Sequence, residues 1–401
     1  MKRRVAPRGK VASGLALALF LAAQAAPAQA AVASAVPSPM CQATGPVTGD
    51  SHADAEARRV QKIVVSSSTN TAYFAGKFTA MIPAAGGAQV VRNRLGACQL
   101  STGTILPWNP NADGEVFALA SDGTTIYAGG TFKNVGGQAH AGLVAIDAAT
   151  GTPKASWNPK VSSGNVRSLA ISGTTLYVGG TFKKINGTTR TSLAAIDTVT
   201  GDLKSWDPGS RYDAAAKYDI RGLVVSGNKV IAAEWYTDNR MNNMLALDAT
   251  TGANLAWADV PRVEILDISL SGSRVYAAGA GLGGHVYAYD VSNGRQRMDV
   301  TVDGNVQAVY ASSDTVYAGG HFDNVQSGNG WFRRLTPRDR LLAIRISDSS
   351  LLPWNPGVDS AGAGPYALQG GGHYLLAGGE FAFVAAKAHA GIAAFPVPTG
   401  P

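Results

Sequence analysis

From residue 60 onward, short apolar runs alternate with polar, glycine-rich turns, and the runs recur at a fixed internal spacing. The most legible is "YAGGTF" at 127 to 132, which returns as "YVGGTF" at 177 to 182 and "YAGGHF" at 317 to 322. An apolar run begins 11 residues before the first residue of this motif in seven copies: Lys62 before Tyr73, Val116 before Tyr127, Val166 before Tyr177, Ile220 before Ile231, Ile265 before Tyr276, Val306 before Tyr317 and Pro365 before Leu376. A loop of variable length follows, then a third apolar run ending in Asp and a turn, as in "LVAIDAATG", "LAAIDTVTG", "LALDATTG" and "YAYDVSNG". A fourth element, "WNP" or a variant, comes at Trp108, Trp157, Trp206, Trp257 and Trp354. Short runs of this kind, bounded by Gly, Asp and Asn, are strands, so each copy predicts four of them, A to D.

Seven units of about 50 residues, each of four short antiparallel strands, predict an all-β fold, a seven-bladed β-propeller over residues 59–401. The seventh copy ends at "GIAAFPVPTGP" without a "WNP" element. Within the N-terminal segment, 31–58, the stretch near residues 41 to 60 is expected to supply that strand and close the ring. Composition agrees with this class, with 48 Gly and only 15% charged residues.

The chain before the repeats reads differently. Five basic residues precede an apolar run from Val11 to Ala26 that ends in "AQA", the pattern of a secretory signal peptide over residues 1–30. Export by the general or the twin-arginine route then gives a secreted, extracellular protein with no membrane insertion. Without this leader, 29 Lys and Arg face 27 Asp and Glu, so the formal charge of +7 falls to about +2 and carries no case for a nucleic-acid partner. Cys41 and Cys98 are the two cysteines of an exported chain, and a disulfide between them is expected.

Most recurring residues have structural work to do. A glycine pair inside a strand marks close backbone approach, and no phosphate-cradling glycine motif is present. Asp147, Asp197, Asp248 and Asp290 precede turns whose amides they can accept from. The tryptophans suit packing between neighbouring units. Arg92, His140, Arg190, Arg338 and His389 recur just before strand C and are read as bridges to loop carbonyls rather than as an anion-binding rim. Neither a metal site nor a cofactor is expected.

Function must then come from what differs between copies. The residues ahead of the strand A starts are Gln61, Glu115, Asn165, Asp219, Glu264, Asn305 and Gly364, and alternation places Ile63, Phe117, Arg167, Arg221, Leu266, Gln307 and Tyr366 on the same side. Polar groups should gather there at one mouth of a central channel, with Asp267 nearby. Next to it, "AAEWYTDNR" replaces the glycine pair with Glu234 and Trp235, followed by Tyr236, and "SGNGWFRRLTPRDR" inserts Trp331 and Arg333. The candidate ligand-binding residues are Asn165, Arg167, Arg221, Trp235, Tyr236, Asn305, Gln307, Trp331, Arg333 and Tyr366. Glu115, Asp219, Glu234, Glu264 and Asp267 are the candidate acid and base groups if glycan cleavage occurs there.

The unit "YxGGxF…LAAID…TG…WNP" resembles the delta-60 repeat, a propeller family of secreted actinobacterial proteins. It is also similar to repeats of fungal cortical polarity markers and, more remotely, to kelch and quinoprotein-type propellers. The resemblance covers about residues 60 to 400. It implies a secreted propeller used for binding and brings no catalytic motif. Two functions are therefore carried forward. One is a non-catalytic, monomeric binding scaffold for an extracellular polysaccharide or protein. The other is a glycan hydrolase or lyase working from the acids at the channel mouth.

Overall fold

The structure is a computed structural model that describes residues 32–397, apart from residues 49 and 282 and the segments 210–217, 237–243, 258–262, 328–333 and 360–361. The expected signal peptide, Trp331 and Arg333 lie outside the described residues, as does the side chain of Tyr236. No described helix is long and apolar enough to cross a membrane.

The described residues are almost entirely β. Seven antiparallel sheets carry strands A, B and C of the seven sequence repeats. Strand A is Val60–Ser66, Val116–Ser121, Val166–Ser172, Tyr218–Ser226, Glu264–Ser271, Asn305–Ala311 and Pro365–Gly371 in repeats 1 to 7. In every repeat strand B pairs with both A and C, as in Val166–Ser172, Thr175–Gly180 and Leu193–Asp197. The middle of strand B is mostly apolar because both its faces are covered, with the buried Glu234 of repeat 4 as an exception. The buried clusters each draw on two consecutive repeats, and one joins Val60 and Ile63 of repeat 1 to Leu376 and Ile392 of repeat 7.

The fourth strand is shorter than the sequence pattern predicts. Repeat 4 has a two-residue pairing at Asn254–Leu255 and repeat 5 a full strand at Gln296–Val302. In four others it is a single bridge, such as Ile146 to Pro153 or Ile196 to Leu203. The prolines that crowd this element lack the N–H a ladder needs.

Tryptophan supplies the missing connection. Trp108, Trp157 and Trp206 donate Nε1–H to the carbonyls of Asp147, Asp197 and Asp248 in the following repeat, at 2.9 to 3.0 Å. The motif tyrosines Tyr73, Tyr127 and Tyr177 stand edge-on to these rings and donate to the carbonyl of the residue that follows each aspartate, Ala148, Thr198 and Ala249. Asp147, Asp197 and Asp248 accept amides of their own turns, as expected, and the Thr150, Thr200 and Thr251 amides hold their carboxyls below the usual range, whereas the Asp290 carboxylate pairs with Arg297 instead. Arg92 and Arg338 reach the carbonyls of Leu106 and Leu352, both at 2.7 Å, which is the bridging role.

Next to repeat 7 lies a segment earlier in the chain than the expected 41 to 60 stretch. Residues 34–38 run along strand C of repeat 7, Ile392–Pro396, through Ser34 N–H to Pro396 O and Ser38 N–H to Ala394 O. Trp354 and Tyr317 of repeat 6 find their partners there, at Ser34 O and Ala33 N. The 41 to 60 stretch instead gives a strand, Gln42–Thr44, on the B–C hairpin of repeat 1, and a helix, Ser51–Ala57, capped by Asp50. Cys41 is disulfide-bonded to Cys98 in strand C of repeat 1, so the expected bridge ties this segment to the first sheet.

Candidate functional site

The site begins with a backbone irregularity shared by all seven copies. Each strand A skips one residue in its pairing with strand B: Val60 pairs with Gly76 and Lys62 with Ala75, Val116 with Gly130 and Ala118 with Gly129, and so on to Pro365 and Ala367. Such a bulge re-aims the extra side chain. The seven extra residues are Gln61, Phe117, Arg167, Arg221, Leu266, Gln307 and Tyr366, and all of them line one cavity of about 390 Å³. The glycine pair serves this geometry. A Cβ on Gly130 would run into Glu115 O, and one on Gly180 into Asn165 O, because strand A bends onto strand B at the bulge.

Six of the seven inward residues are those that alternation selects. The exception is repeat 1, where Val60 pairs with Gly76, 16 residues on, against the 14 between Val116 and Gly130. This longer hairpin shifts the register by two. Ile63 is therefore a core residue, 1% exposed, and Gln61 takes the cavity position. Arg59, which the pattern passes over, stands where Gln61 was expected.

Charged side chains around the cavity are largely paired. Lys62 of repeat 1 reaches Asp267 of repeat 5 at 3.2 Å, and the other Asp267 oxygen accepts Val309 N–H. Arg221 donates to Asp219 at 3.0 Å and to Glu264 at 2.7 Å while lying over the Trp235 ring. Arg59 pairs with Glu380 of repeat 7 and lies over Tyr366, with Glu115 3.6 Å away. Burial opposes the Arg59 charge, but Glu380, Tyr366 and Glu115 together outweigh it and hold the guanidinium pKa above its usual value. Burial, with Glu380 beside it, likewise pushes the Tyr366 hydroxyl up.

Of the acid candidates, only Glu264 and Asp267 line the cavity. Asp219 is buried behind Arg167 and Arg221, and Glu115 sits beside Arg59. Glu234 is fully buried opposite Ile220 and does not line the cavity, because it occupies the second-glycine position inside the ladder. Among the ligand-binding candidates, Asn165 and Trp235 flank the lining, whereas Arg167, Arg221, Asn305, Gln307 and Tyr366 belong to it. Tyr236 pairs through its backbone with Tyr218. Two lining residues that the sequence argument did not select for binding are Gln61 and Lys62.

The B–C loops of repeats 1, 2, 3, 6 and 7 form small hairpins, such as Asn134–Val135 with Gln138–Ala139 and Lys184–Ile185 with Thr188–Thr189. In repeat 5 strand B ends at Ala280 and strand C begins at Gly284, so that part of the face carries no hairpin. Among the described residues no group of three or more His, Cys, Asp or Glu side chains is placed to hold a metal ion.

The family described as "Outer membrane protein assembly factor BamB" (PQQ_2) matches residues 42–297 and, in a second alignment, residues 139–367. Overlapping matches are what a repeated unit gives. Together they span most of the chain, which belongs to this propeller-type repeat family. None of the curated proteins matches the chain. Among solved structures, that of the computationally designed Ika8 protein is similar over 89% of this chain and 100% of that one, at 15% identity and a TM-score of 0.52. At that identity the likeness is one of fold alone.

Proposed function

We propose that this member of a propeller-type family is a secreted, monomeric, seven-bladed propeller of the delta-60 kind that binds an extracellular polysaccharide through the cavity at the strand A mouth. The blade count rests on the seven sheets and on the core shared by repeats 7 and 1. Export is supported by the basic and apolar leader and by the disulfide.

One observation carries the ligand reading. The cavity presents hydrogen-bonding groups of both senses together with aromatic rings: the amides Gln61, Asn305 and Gln307, cations, carboxylates, and the rings of Phe117 and Tyr366. Its volume falls within the roughly 300 to 1,000 Å³ of small-ligand sites. The Oε1 atoms of Gln61 and Gln307 are buried and without a partner among the described residues. Buried acceptors of this kind call for a donor, and sugar hydroxyls donate and accept alike.

Glycan-array binding together with a reducing-sugar release assay tests the reading. Binding without release is the expected result. Release that disappears in Glu264→Gln or Asp267→Asn would replace it with a hydrolase or lyase. A second reading, a protein-binding scaffold, is favoured by the exposed apolar side chains Val91, Leu335 and Phe383 on B–C hairpins. It predicts that substitution of these three by serine, and not of cavity residues, abolishes partner capture.

A further inference from the structure

One cavity cation differs from the others. Lys62 is answered by Asp267, and Arg221 by both Asp219 and Glu264. Arg167 has no equivalent partner. Its guanidinium lies 4.0 Å from the centre of the Phe117 ring, and among the described residues its Nε makes no hydrogen bond. The Asp219 oxygen facing it is 3.8 Å away, beyond hydrogen-bond reach, and the other oxygen of that carboxylate already accepts from Arg221.

The ion pair of Arg167 with Asp219 is long and makes no hydrogen bond, so the guanidinium gains charge-assisted hydrogen bonds from a bound anion. Stacking on Phe117 occupies one face of the planar group and leaves its edge donors for a ligand. A carboxylate matches that edge with two parallel hydrogen bonds. The same cavity is lined by Gln61 and Gln307, whose Oε1 atoms are buried and unpartnered among the described residues. A simple anion satisfies the arginine and not the amides, whereas a neutral sugar does the reverse.

We infer that the cavity is selective for an acidic sugar, a uronate, whose carboxylate pairs with Arg167 while ring hydroxyls donate to Gln61 and Gln307. This inference rests on the carbohydrate reading of the cavity. Asp267 is held by Lys62 and Glu264 by Arg221, so neither carboxylate is the partner of Arg167.

The test is a saturation-transfer NMR titration of the full chain with glucuronate and galacturonate against glucose and galactose, with acetate as a third arm. The uronates are expected to bind roughly 10- to 100-fold more tightly than their neutral counterparts, the span of one charge-assisted hydrogen-bonding pair. In Arg167→Gln that ratio should fall toward one, and Arg167→Lys should restore part of it; an unchanged melting temperature establishes that both variants fold. Equal binding of acidic and neutral sugars, or a preference that survives in folded Arg167→Gln, overturns the inference and leaves the carbohydrate reading standing. Acetate binding as tightly as uronate reduces the site to a carboxylate pocket and overturns it as well. Binding of none of these sugars overturns both.

Discussion

Trp157 joins two repeats with one side chain. Its ring is buried edge-on to Tyr127, and its Nε1–H reaches Asp197 O at 2.9 Å in the next sheet. Trp157→Phe removes the hydrogen bond and keeps most of the packing, so a loss of about 1 kcal/mol is expected. Trp157→Ala opens a cavity between sheets as well, and about 3 to 5 kcal/mol should be lost; urea unfolding of the two variants separates these contributions. Buried histidines make a second prediction at this scale. His140 and His389 sit before strand C, and burial lowers the pKa of each ring. A lowered folded-state pKa means that the unfolded chain takes up the proton first as pH falls. Stability is therefore full above the ordinary histidine value of about 6.5 and declines as pH drops from there toward the folded values. Melting temperatures measured between pH 8 and 5 should fall through this window in the wild type and fall less in a His140→Gln, His389→Gln double variant.

Between repeats, the elements that matter most are those near the seam. Residues 34–38 complete the last sheet, and Cys41 anchors the chain that follows to strand C of the first. The bridge closes a span of 57 residues, for which chain entropy gives about 4 kcal/mol. Replacing both cysteines by alanine should lower the urea unfolding free energy by up to that amount; an unchanged free energy would show that the N-terminal segment is held by its hydrogen bonds alone. Much of this level was legible in the sequence, because the 11-residue spacing fixes strands A and B wherever the hairpin has constant length. It misled in repeat 1, whose hairpin is two residues longer, a change that leaves the apolar pattern intact while moving Ile63 into the core. The "WNP" strand was over-read for a chemical reason: its prolines cannot donate, and the tryptophan rings hold neighbouring sheets where the ladder cannot. The segment 34–38, "SAVPS", has no strand pattern of its own and holds one isolated bridge, Ser38 to Ala394. It is paired only because strand C of repeat 7 leaves an open edge.

At the scale of the whole molecule, seven identical bulges deliver seven different side chains to one space. Alternation along strand A found six of these residues, since the bulge falls at the same point in each copy and leaves the inward parity unchanged. What no local pattern shows is the pairing among them. Lys62 and Asp267 are 205 residues apart and meet only through the arrangement of the sheets, and Arg59 finds Glu380 321 residues away. That pairing changes the functional weight of the acids, because four of the five cleavage candidates, Glu115, Asp219, Glu264 and Asp267, are held by cations, while Gln61, Gln307 and Arg167 keep atoms without a hydrogen bond among the described residues. The proposed function therefore requires that the ligand sit in the cavity. The most direct measurement is the affinity of the wild type and a Gln61→Leu, Gln307→Leu double variant for the glycan that an array selects, with matched melting temperatures for the two proteins. Removing both acceptors keeps the volume and leaves ligand hydroxyls unanswered, so a loss of at least about tenfold is predicted. Equal affinity in the two proteins would contradict the account and move the binding surface away from the cavity.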